Sequence, residues 1–86
     1  MDINSLNLII KKKISQNISC KKIIIEDKTY LHKNHKSHEK NKFHIKLIIK
    51  SNELLKMNRI ESTKKIYKIL DYELKKYIHS IQVLLN

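Results

Sequence analysis

Phe43-His-Ile-Lys-Leu-Ile-Ile-Lys50 alternates almost strictly, with Phe43, Ile45, Leu47 and Ile49 on one side and His44, Lys46, Ile48 and Lys50 on the other. Successive side chains of a strand point to opposite faces, so this period of two predicts a strand with one face against a core. Toward the C-terminus, Ser51 and Asn52 can cap a short helical turn over Glu53 to Met57, and Asn58 with Glu61 three residues on resembles a capping box. A longer helix is then expected through about residue 77, with Ile66, Tyr67, Leu70, Leu74, Tyr77 and Ile78 as its buried stripe. Beyond it, Ile81, Val83 and Leu85 alternate with Ser80, Gln82 and Leu84. That pattern predicts another strand and puts His79 on the side of its apolar set.

Toward the N-terminus, Lys28 to Lys42 is polar, rich in His and Lys, and without a sustained period, which reads as a long loop. Before it, Lys21 to Asp27 carries the β-branched run Ile23-Ile24-Ile25 and predicts a first strand. Ile3, Leu6, Ile10 and Ile14, with Ile9 alongside, recur at helical spacing and predict an amphipathic helix over about residues 2 to 14. The order is α-β-β-α-α-β. It implies an α+β fold in which one domain over residues 1–86 packs its helices on one face of a three-stranded mixed sheet.

A chain of 86 residues buries one modest core, and a deep active-site cleft is not expected of it. No uninterrupted apolar run approaches the ~20 residues of a membrane span, so no membrane association is expected. Met1 to Ile10 has no basic residue ahead of its apolar stretch and does not predict a secretory signal. The single cysteine, Cys20, has no bridge partner in the chain, which fits a reducing compartment, by default cytoplasmic and alternatively an organelle matrix. The expected state is a monomer or weak homodimer.

The formal net charge is +11, and lysines that neutralise phosphates drive salt-sensitive nucleic-acid binding. The charge is nevertheless dispersed from Lys11 to Lys76, and Arg59 alone can make a bidentate guanidinium contact. The chain has no Gly, no Pro, sixteen Ile and eight Asn, a skew expected of an A/T-rich genome. Much of the lysine is then a solvating surface.

The element order and the histidines together resemble the BolA family, whose fold is similar to a class II KH domain. His44-Ile-Lys-Leu-Ile-Ile-Lys-Ser51 is similar to the family's H-F-x-V-x-V-x-S strand, followed in register by Lys65-Ile-Tyr67, Leu70, Glu73-Leu74 and Ile78-His79. Glu26 to His35 resembles the D-x-S-x-x-H-A-G-H loop, with Thr29 in the Ser position and His32 and His35 retained. Leu54-Leu55-Lys56 replaces the family's F-x-G turn, and Ser62-Thr63-Lys64 replaces R-H-R at the start of the long helix.

The resemblance implies a non-enzymatic regulatory protein of iron-sulfur homeostasis and stress response. Its implied partner is a monothiol glutaredoxin with which it shares a [2Fe-2S] cluster through His79 and one loop histidine, His35 or His32. Imidazole can replace thiolate on one iron of such a cluster. The alternative it implies is a DNA-binding transcriptional regulator.

Read without the resemblance, His79 is a partly buried histidine beside Ile81 and Val83, and His32, His35 and His38 form a loose metal tract with His44 just beyond. Cys20 reads as a small buried thiol, and the eight acidic residues show no convergent pair for acid-base chemistry. A KH domain clamps nucleic acid through a G-x-x-G loop, which a chain without glycine lacks. Phe43 and Tyr67 are expected in the core, leaving Tyr30 as the best exposed stacking platform. Nucleic-acid contacts would then rest on Lys11 to Lys13, Lys64, Lys65 and Lys68. A structural adaptor with a basic surface for an acidic partner is also consistent with the sequence.

Overall fold

Asp2 opens the first helix by accepting a 2.7 Å hydrogen bond from the Ser5 N–H, satisfying one of the donors that a helix start leaves without an intrahelical partner. Helix α1 (Ile3–Asn17) then places Leu6, Ile10 and Ile14 in the core at a spacing of four. It runs a turn beyond the expected end because Ile18, the next residue in that series, is also buried, while its extended backbone stops the helix. The computed structural model describes residues 1–29 and 42–86.

Strand β1 (Lys22–Asp27) pairs antiparallel with β2 (Phe43–Lys50), and β3 (Ile78–Leu85) pairs parallel with β2, giving a mixed sheet in the order β1-β2-β3. Ile45, Leu47 and Ile49 meet Leu6, Ile10, Ile14, Leu54, Ile66 and Leu70 in one core, so the helices cover one face as the alternation predicts. Ile23 and Ile25 of β1 pack against the same core.

Helix α2 (Asn52–Leu55) is capped by Ser51, whose hydroxyl accepts from the Leu54 N–H at 3.2 Å and donates to the Ser19 carbonyl at 2.7 Å. One buried side chain thus ties α2 to the connection between α1 and β1. Helix α3 (Arg59–Ile69) is capped by Asn58, which accepts from the Glu61 N–H at 2.8 Å and donates to the Glu61 carboxylate at 2.8 Å. The reciprocal pairing anticipated from Asn58 and Glu61 is present, with the amide side chain supplying both halves.

The single helix expected through residue 77 is two. Leu70, at φ −99° and ψ 17°, breaks the run, and α4 (Asp71–Lys76) follows as a separate helix. Tyr67, expected in the buried stripe, is 42% exposed, because the inward row is Ser62, Ile66, Leu70 and Glu73, and Tyr67 lies about 100° around the helix from Ile66. Ile78 belongs to β3 rather than to a helix.

Glu73 is 3% exposed, and the Lys13 ammonium reaches both its oxygens at 2.7 and 2.8 Å. That pair bolts α4 to α1. No helix of the described residues is long and apolar enough to cross a membrane.

Candidate functional site

Phe43 pairs with Ile78, but His44 pairs with Ser80, so β3 carries one residue more than β2 at this point and His79 is the extra one. The bulge reverses the parity of the strand. Ile78 before it and Ile81, Val83 and Leu85 after it all face the helices, although Ile78 and Ile81 are three residues apart. His79 is therefore not on the apolar side, where simple alternation puts it: it is exposed, and its ring lies against that of His44, with centroids 4.8 Å apart and planes at 51°.

His44 sits on the face of β2 away from the helices, yet is only 5% exposed. Its Nδ1 lies 2.6 Å from the Ser80 hydroxyl, and its backbone N–H donates to the Thr29 hydroxyl at 3.2 Å. Thr29 is in turn fixed by Asp27, whose carboxylate accepts from both the Thr29 N–H and its hydroxyl. The Lys28 N–H donates to the His44 carbonyl at 2.7 Å. His44 is thus anchored at backbone and ring, and His79 rests on a fixed surface.

The geometry also locates the ends of the connection between β1 and β2. Thr29 and Lys42 flank it, and both lie at the end of the sheet where β2 and β3 begin, since those strands are parallel. The anchors of this connection and His79 therefore share one end of the molecule. His32, His35 and His38, and with them Tyr30, lie outside the described residues. Among the described residues, no three His, Cys, Asp or Glu side chains gather as a metal set.

The basic residues expected to meet nucleic acid are divided. Lys64 and Lys68 are exposed on α3, whereas the Lys65 ammonium is 2.7 Å from the Glu53 carboxylate. Glu53 also accepts from the Ser19 N–H at 3.2 Å. The Lys65 hydrogen bond, seconded by that from Ser19, holds the Glu53 carboxyl below its usual range. Of Lys11 to Lys13, Lys13 is bound to Glu73.

Sequence reasoning also missed Tyr72, which is 53% exposed. The Lys76 ammonium donates to its hydroxyl at 3.0 Å and lies 5.4 Å from its ring centroid, lowering the Tyr72 pKa and raising its own. Cys20 is half-buried and donates weakly to the Ile18 carbonyl; burial first, and then the Glu53 charge, push its thiol up, away from nucleophilic use.

A family profile described as BolA-like protein matches residues 14–85. The fold is similar to the BolA domain of SufE1 from Arabidopsis thaliana, with a TM-score of 0.76 and 21% identity over 100% of this chain and 93% of that one. It is also similar to BolA1 from Arabidopsis thaliana, with a TM-score of 0.72 and 21% identity over 90% and 85% of the two chains. A bol-like protein from Babesia bovis gives a TM-score of 0.69 at 10% identity, covering 91% of this chain and 79% of that one. No curated protein matches by sequence.

Proposed function

Because the chain belongs to the BolA-like family, we propose that it is a non-enzymatic regulatory protein that pairs with a monothiol glutaredoxin and binds or transfers a shared [2Fe-2S] cluster. The observation that carries this reading is His79, exposed at a bulge and backed by the anchored ring of His44. An imidazole held in this way can serve as a ligand with little ordering still to be done.

The donor set fits a shared group. A [2Fe-2S] cluster takes four protein ligands, and histidine can stand for cysteine on one of its irons. His79 supplies one imidazole, and His35 or His32 is proposed for the second, carried by the connection whose ends lie beside it. Thiol ligands would come from the partner, because Cys20 is half-buried in the connection between α1 and β1. Ser80 and His44 act as positioning residues in this scheme, holding the site without binding iron.

Co-expression with a monothiol glutaredoxin, followed by visible absorption and paramagnetic resonance of the reduced complex, tests the proposal. The expected result is a heterodimer signal distinct from that of the glutaredoxin alone, altered or lost in His79→Ala. An unchanged signal in that variant would remove His79 from the ligand set. Specific DNA regulation is the weaker reading, since Lys65 is held by Glu53, and the lysines left on α3 favour sequence-independent contacts that fade with salt.

A further inference from the structure

The opposite end of β3 carries a second feature, unrelated to the histidines. Among the described residues β3 pairs only with β2, so its outer edge presents backbone N–H and C=O groups to solvent. Edges of this kind are usually protected by charge, and β1 follows the rule with Lys22, Glu26 and Asp27. Ile78 to Leu85 holds no charged residue at all, in a chain that is 31% charged.

Beside this edge lies a groove of about 280 Å³ between the end of β3 and the turn joining α2 to α3. Leu84 lines it together with Val83 and Leu85, its neighbours on the opposite face of the strand, so the strand edge itself forms one wall. Leu55 and Met57 form the other wall, and Leu55 and Leu84 are 54% and 43% exposed. Arg59 stands at the rim and also borders an adjoining depression with Lys64; among the described residues no acidic side chain lines either.

We infer that this edge and groove dock an extended peptide of another protein, one that carries apolar side chains for the groove and acidic ones for Arg59 and Lys64. A bare strand edge is matched by another peptide backbone, adding a strand whose alternate side chains enter neighbouring pockets. The rim and the net charge of +11 select acidic sequences and oppose pairing with a second copy of this chain. Nucleic acid suits the site less well, because phosphates gain nothing from the aliphatic walls. The groove, centred on Leu84, lies about 16 Å along β3 from His79 at ~3.3 Å per residue.

The probe is an end-capped peptide of about ten residues in which Glu and Val alternate, titrated into the isotopically labelled full chain. The amides of Ile81 to Leu85 should shift, and those of Ile81, Val83 and Leu85, which alternate with the ones turned to β2, should gain protection from hydrogen exchange. The double variant Leu55→Ser/Leu84→Ser should weaken binding by about tenfold at an unchanged melting temperature, since both side chains are exposed. The same peptide N-methylated at alternate amides should not bind, because it cannot complete a ladder. The inference is overturned if the peptide leaves β3 unshifted, if the N-methylated peptide binds equally well, or if the double variant binds with full affinity. It is equally overturned if single-stranded oligothymidylate occupies the groove more tightly than the peptide.

Discussion

On the helix side of β2, Ile45, Leu47 and Ile49 are 3%, 0% and 0% exposed, enclosed by side chains from α1, α2 and α3. On the other side His44 is 5% exposed, and its ring and backbone are held by Ser80, Thr29 and Lys28. Both settings keep water from side chains of one strand, but by different physics. The first gains from apolar area and is indifferent to direction; the second depends on individual donors and acceptors and fixes an orientation. A face of the first kind supports the domain, and one of the second kind can aim a side chain at a partner.

The contrast breaks most sharply at Leu47. Leu47→Ala should cost ~3–4 kcal/mol in chemical denaturation through lost transfer energy and a residual cavity. Next in size is the pair that brings polar physics into the helix layer. Lys13→Ala strands the Glu73 carboxylate at 3% exposure and should cost about 3 kcal/mol, whereas Glu73→Gln leaves a half-exposed ammonium to water and should cost clearly less. Equal losses in the two variants would mean that the pair contributes through packing alone.

Ser80→Ala sharpens the other side of the comparison. It should cost about 1 kcal/mol in stability, and the imidazole resonances of both His44 and His79 should move, because the first ring supports the second. A shift confined to His44 would show the two rings to be independent.

The smallest effect is expected from Glu53→Gln and concerns pH. The folded pKa of Glu53 lies below its ordinary value of 4.5, so the stability it contributes is present above that value and is lost as pH falls through the depressed one. The difference between the wild-type protein and Glu53→Gln should therefore be constant near neutrality and shrink in acid.

Much of this fold is legible in the chain. The alternation of Phe43 to Lys50, the spacing of Leu6, Ile10 and Ile14, and the pairing of Asn58 with Glu61 each follow from short-range periodicity, and each element lies within a few residues of its expected place. The departures share a cause: they depend on contacts distant in sequence. Glu73 reads as a surface residue until Lys13, sixty positions away, is brought to it. Tyr67 reads as core until the break at Leu70 and the row from Ser62 to Glu73 define the inward side of α3. At the candidate site His79 is visible from its place at the start of the last strand, but its side of the sheet is not, because alternation carries no sign of an inserted residue. The facing of His44 and Ser80 could have been found by counting both strands from their apolar sets.

The bulge at His79 also bears on how such a site can change over generations. Every other residue from Ile78 to Leu84 has a partner on β2, so altering its backbone disturbs a neighbour. His79 alone is outside that ladder. Its position works like a socket set apart from the frame: the side chain it holds can be exchanged or re-aimed while the register of Ile81, Val83 and Leu85 against the core stays as it is. A lineage could in this way vary what the histidine end binds while keeping the same sheet.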